Sequence, residues 1–324
     1  MFRLRPIRHR PERVRVPLRA ADGVFTVLLL TAFGFGGQTA WSGAPRFMSL
    51  LFPPGLMAAQ ASSPSPSAHL TLAPVDAQPV VPPPVETAAV QQSKNPAIAL
   101  VIDDLGEDLA GTDRAMALPA PVALSFLPFA DDSRWLAPEA IWRGHEVLVH
   151  VPMETLSGKD AGPMALTVDL PAAEVTRRLA WDLERVPGFV GINNHEGSRF
   201  TSDAAALAPV VQMLAARHVF FFDSRTAATS QVVRVSRAAG VPSAARDVFL
   251  DDDLSADAIA AQFAALEEHA KRDGIAIAIG HPHDATLTAL MKWTAVAGRR
   301  GFELVPLSEA IRRKTVRETV VAGR

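Results

Sequence analysis

The 324-residue chain predicts an α/β fold built on a parallel sheet. From Ala97 onward, short apolar runs rich in Val, Ile and Phe alternate with stretches of helical period. The runs are nearly continuous in their hydrophobicity, as strands covered on both faces are, and each is bounded by Gly, Pro, Asn or Asp. A βαβα series of this kind fits a barrel or a doubly wound sheet, and seven or eight repeats in roughly 220 residues favour the barrel.

The strands are read as AIALVI (97–102), VALSF (122–126), EVLVHV (146–151), FVGIN (189–193), HVFFFD (218–223), IAIAIG (275–280) and, last, ELVPL (303–307). Apolar spacing at three and four residues predicts helices over 171–186, 202–218 and 255–274. Ser255 is the expected N-cap of the third and Gly274 stands just past its end. The tryptophans Trp135, Trp142, Trp181 and Trp293 fall in helix-like stretches and are expected in the core.

Ahead of Ala97 the chain changes character. Seven arginines within residues 1–22 precede an apolar run at 24–37, and a second apolar patch ends in Ala59-Gln60-Ala61, which has the small-x-small form of a signal-peptidase site. Residues 1–61 therefore read as a signal peptide or membrane anchor, with the arginines kept inside and the rest in a periplasm. Residues 62–96, with eight prolines among Ser, Ala, Val and Gln, cannot bury enough surface to fold and read as a disordered, extended spacer. The working domain is expected at 97–314, followed by a short tail at 315–324. Hydrophobic residues make up 48% of the chain, enough for a substantial core. A net charge of −2, from 32 basic against 34 acidic residues, offers no general attraction to nucleic acid or anionic lipid. Membrane contact is expected only through the N-terminal segment. With no cysteine, disulfides, thiol catalysis and thiolate zinc sites are excluded, so any metal is held by His and carboxylate.

Parallel α/β folds gather their chemistry at the C-terminal ends of the strands. The first strand ends in Asp103-Asp104, adjacent carboxylates that repel one another unless a positive centre compensates, and a metal ion is the simplest such centre. The third delivers His150 and Glu154 on either side of Pro152, where a turn would let both face one point. The fourth ends in Asn194, His195, Ser198 and Arg199, the fifth in Asp223 and Arg225, and the sixth in His281 and His283. Any one of these is an ordinary cap, hydrogen-bonder or salt bridge. Five strands presenting such groups at one end point to a shared site, near which five of the nine histidines (His145, His150, His195, His281, His283) fall. By contrast, Asp251-Asp252-Asp253 reads as a solvated loop capping the helix that starts at Ser255, and His218 and His269 as structural.

The stretches VIDDLG, GHEVLVHVPME, GINNHEGSRFT, FFFDSRT and IGHPH, in that order over about 97–313, resemble the divergent polysaccharide deacetylase family, relatives of the NodB-like carbohydrate esterases. The resemblance implies an irregular (β/α)7-type barrel. It implies Asp103 as general base, Asp104 and His150 as ligands of a divalent metal, zinc by preference, and His281 as general acid. The second histidine of the family's paired-ligand motif is Glu154 in this chain. The third ligand is then Glu154 or His195. Electrostatics favours His195, because two carboxylates would weaken the ion as a Lewis acid, and Glu154 would stand outside the ligand set. Asn194, Ser198, Arg199, Asp223, Arg225 and His283 are expected to contact substrate or support the ligands.

The resemblance implies a metal-dependent hydrolase acting on amide or ester acyl groups of a cell-envelope glycan, an amide C–N bond other than a peptide bond first of all, and these residues suit that chemistry. The alternative is a silent glycan-binding or envelope-assembly protein on the same fold, which the carboxylate in a ligand slot would favour. Phosphoryl transfer by Asp103 lacks the Gly-rich loop that would cradle a phosphate.

Overall fold

The computed structural model describes residues 95–322. The expected export segment and all of the proline-rich spacer except its last two residues lie outside them. The sheet contains β1 (Ala97–Leu105), β2 (Ala123–Phe126), β3 (Val147–Met153), β4 (Gly191–Glu196), β5 (Phe220–Asp223), β6 (Ser243–Ala245), β7 (Val248–Phe249), β8 (Ile275–Gly280) and β9 (Glu303–Leu304). Every pairing is parallel, in the order β6-β5-β4-β3-β2-β1-β8-β7, with β9 against the start of β1. Among the described residues no ladder joins β6 to β7. The sheet curls into an irregular half-barrel with an open seam, in keeping with the expected fold class.

The helices are α1 (Leu109–Met116), α2 (Ser133–Trp142), α3 (Ala172–Arg185), α4 (Ala204–Arg217), α5 (Val232–Ala238), α6 (Ala256–Asp273), α7 (Asp284–Thr294) and α8 (Leu307–Ala322). The three helices expected from periodicity are α3, α4 and α6. Ser255 caps α6 by accepting from the Ala258 amide, and Gly274 closes it with a left-handed φ of 75°. The expected last strand is shorter than ELVPL: pairing stops at Leu304, and helix begins after Pro306. The boundary expected at 314/315 falls inside α8, which runs through it.

Two apolar clusters occupy opposite faces of the same strands. On β1, Ile98, Leu100 and Ile102 face the cluster under α1 to α7, while Ala97, Ala99 and Val101 belong to the other. That second, inner cluster joins Leu148, Phe222, Ile277 and Ile279 to Leu307, Ala310 and Ile311, so the first turns of α8 fill the concave side. A polar site on the inner face is thus confined to the strand ends that α8 leaves uncovered. The tryptophans divide. Trp293 is buried, with its Nε1 donating to Glu267 at 2.9 Å, and Trp181 is half-buried under Arg185. Trp135 and Trp142 are exposed, contrary to the expectation of a core position, because α2 packs through Ser133, Ala137 and Ala140 instead.

Candidate active site

Strand alternation decides which side chains reach the site. Counting by twos from the inner cluster gives Asp103 on β1, Ser125 on β2, His150 on β3, Asn193 on β4, Ser224 after β5 and His281 after β8. Asp104, as the next residue along β1, would ordinarily face the other way. It does not, because the register with β2 shifts between Ile102 and Leu105 and Asp104 adopts a left-handed φ of 58°. Asp tolerates that region better than most residues, and the strain turns the second carboxylate beside the first.

Three side chains converge. His195 Nδ1 lies 2.8 Å and His150 Nε2 3.1 Å from Asp104 Oδ1, and one donor atom from each residue lies within 4.8 Å of the others. The two rings stand edge to face, with centroids 5.0 Å apart. Asp104 Oδ1 is buried and has no hydrogen-bond partner, although both nitrogens are close to it. Burial alone would raise the Asp104 carboxyl, yet the facing imidazoles outweigh it and hold it well below the usual carboxylate range. One carboxylate and two imidazoles make a donor set that a divalent cation fits.

Two titratable groups flank the triad. Asp103 is buried and its Oδ2 lies 3.8 Å from His150 Nε2. Burial raises its pKa against the opposing charges of His150 and His281. Across the cavity, His281 Nε2 is 3.9 Å from Asp104 Oδ2, and its Nδ1 is 3.0 Å from Asp251 Oδ1. Burial would lower the imidazole, but the Asp251 hydrogen bond and the charges of Asp103, Asp251 and Asp104 raise it to about 9. The site is a small cavity of about 150 Å³, lined also by Asn194, Glu196, Ser224, Thr226 and Phe249.

The other expected residues fall around this centre. Glu154 is not among the converging donors: Oε1 accepts from Arg199 at 2.8 Å and Oε2 from the Val168 amide at 2.9 Å. Pro152 does not turn the chain, because β3 continues to Met153 and the proline carbonyl accepts from Leu166 beyond the end of β2, where no amide is needed. Arg199 and Ser198 secure that neighbouring segment, the latter accepting from the Leu156 amide. Asn194 lines the cavity and accepts from the Ser224 amide. Asp223 binds the Arg225 amide and the Ser230 hydroxyl, shaping the loop after β5, while the Arg225 side chain is exposed. His283 is exposed at the start of α7. His145 lies at the opposite end of β3, bonded to the Val122 and Met116 carbonyls. The Asp251 reading is corrected: Asp253 does serve the helix start, bonding the Ser255 amide, but Asp251 is buried and holds His281 by its ring, its amide and, through Thr286, the start of α7. Asn193, which stands at the end of the fourth strand but has no role assigned from the sequence, is fully buried between Asp103 and His150.

Residues 100–311 match the divergent polysaccharide deacetylase family. The uncharacterized protein YibQ of Escherichia coli (strain K12) is 36% identical over 195 residues, which are 60% of this chain and 61% of that protein. An uncharacterized protein of Haemophilus influenzae is 34% identical over 193 residues, covering 60% of this chain and 69% of the relative. The crystal structure of an uncharacterized protein from Agrobacterium tumefaciens C58 superposes with a TM-score of 0.65 at 30% identity, covering 66% of this chain and 89% of that one. The chain therefore spans about three fifths of the E. coli relative's length. Since the family match runs from the middle of β1 into α8 and takes in every strand that builds the site, the chain belongs to the divergent polysaccharide deacetylase family.

Proposed function

We propose that this protein is a metal-dependent hydrolase that removes acetyl groups from the amide nitrogens of a cell-envelope polysaccharide. One observation carries the reading: a buried, unpartnered Asp104 oxygen converges with His150 and His195 between a buried carboxylate and a carboxylate-held imidazole. A divalent ion at that point, zinc by its donor set, would polarise the acyl carbonyl and acidify water. The chain's own groups do the rest. Asp103 takes the proton from the attacking water as its oxygen bonds to the carbonyl carbon. His281, kept protonated by Asp251, gives its proton to the amine nitrogen as the C–N bond breaks and acetate forms. The arginine-rich, then apolar start supports export to the periplasm, where such a glycan lies. A silent relative drew its support from a carboxylate in a ligand slot, but Glu154 is engaged by Arg199 and the Val168 amide.

Zinc-loaded protein should release acetate from N-acetylated glycan oligomers. Asp103→Asn should lower turnover by about a hundredfold or more while zinc stays bound. Full zinc loading with no acetate released from a broad panel of acetylated glycans would overturn the hydrolase and favour a binding protein.

A further inference from the structure

We infer that Asn193 is the positioning residue that couples the two halves of this site, fixing the tautomer of a metal ligand with one end of its amide and aiming the proton acceptor with the other. The inference rests on the hydrolase reading above and adds a residue to it. Asn193 is fully buried on the inner face of β4, in register with His150 on β3. Its Oδ1 lies 2.9 Å from His150 Nδ1, and its Nδ2 donates to Asp103 Oδ1 at 2.9 Å. Two hydroxyls complete the environment, Ser125 donating to Oδ1 at 2.5 Å and Ser224 accepting from Nδ2 at 3.1 Å.

A carboxamide has two unlike ends, and the surroundings permit only one orientation. Asp103, once ionised, can only accept, so the amide nitrogen must face it. The oxygen is then left facing His150 Nδ1, and that nitrogen has to carry the ring proton. The lone pair of His150 is consequently on Nε2, the atom turned toward Asp104 Oδ1 and His195. On the other side, pinning Asp103 Oδ1 leaves Oδ2 as the oxygen nearest the triad, 3.8 Å from His150 Nε2. One side chain thereby determines which nitrogen binds and which oxygen takes a proton.

Two substitutions separate the roles. Asn193→Leu removes both, so in the full-length protein zinc affinity, measured by competition with a chromophoric chelator, should weaken 10- to 100-fold, roughly the effect of losing a ligand's hydrogen-bond partner. Its turnover at saturating zinc should also fall by about a hundredfold. Asn193→Asp keeps the acceptor for His150 but turns a carboxylate on Asp103, so zinc affinity should stay within about threefold of the parent or tighten, while turnover falls as far as in the leucine variant. In the zinc-loaded parent, the His150 Nδ1 proton should give a slowly exchanging low-field resonance, a readout that needs no variant to fold. Parental zinc affinity and turnover in both variants, equal zinc loss in both, or absence of that resonance would overturn the inference. A parent that binds no zinc would overturn the hydrolase reading itself.

Discussion

Asp251 and His281 set the pH dependence expected of this site. Because the Asp251 bond and nearby carboxylates lift His281 to about 9 against the effect of burial, the imidazole keeps its proton through the neutral range. An acid catalyst with that value works below it, so kcat/KM should decline as pH rises through about 9. Asp251→Asn removes the hydrogen-bonded carboxylate, and the decline should move to lower pH by about one unit or more. An alkaline limb that stays in place would show that another group supplies the proton. The proposed ligand set makes a second prediction: His195→Ala should weaken zinc binding by about a hundredfold or more, whereas Glu154→Gln should leave it within about threefold, since that carboxylate serves Arg199 and Val168. Chelator competition on the two variants checks it. At this scale the sequence revealed residues whose chemistry is conspicuous at a strand end, such as Asp104, His150, His195 and His281. Asn193 and Asp251 were harder to read. A carboxamide within a strand, or one acid among three, acquires a role only when its spatial neighbour is known, and those neighbours lie 43 and 30 residues away.

Among the elements, α3 holds a carboxylate that the site does not use. Asp182 is fully buried and neither oxygen has a partner, so burial raises it to about 8, with Arg178 opposing only in part. The folded state therefore binds this proton more tightly than the unfolded chain. The resulting stability is complete below an ordinary carboxyl pKa and is lost progressively as pH rises toward about 8. A rise from 3.8 to about 8 sets a ceiling of about 6 kcal/mol on that loss. Asp182→Leu should stabilise the protein by about 1–3 kcal/mol at pH 9 and by less at pH 5, as measured by urea unfolding at the two values. A gain independent of pH would mean that the carboxyl titrates normally. Long periodic helices such as α3, α4 and α6 could be located from spacing. The shorter α1 and α5, and α2 with Pro138 inside it, lacked a sustained apolar period. The bulge at Asp104 was invisible for a different reason, since a left-handed Asp leaves no trace in composition.

In the molecule as a whole, alternating apolar runs identified a parallel sheet and located its chemistry at one end. They did not reveal that the sheet stays open, because β6 and β7, flanking the seam, have only three and two residues. Nor did they show that the C-terminal helix enters the concavity, since Leu307, Ala310 and Ile311 were divided between an expected strand and the sequence after it. Ile311→Ala, which hollows out that contact, should destabilise the fold by about 2–4 kcal/mol in denaturant unfolding. A change below about 0.5 kcal/mol would mean that α8 is not part of the cooperative unit.

The same alternation that sorts the two apolar clusters also governs Asp103, His150, Asn193 and Ser224. Slide β1, β3 or β4 forward by a single position and its polar residue passes through the sheet into the greasy layer beneath the helices, while Ile102, Val149 or Ile192 takes its place in the cavity. Misalignment would thus be penalised twice, by stranded charge and by wetted hydrocarbon. Correct folding and an assembled constellation are, for this chain, a single event.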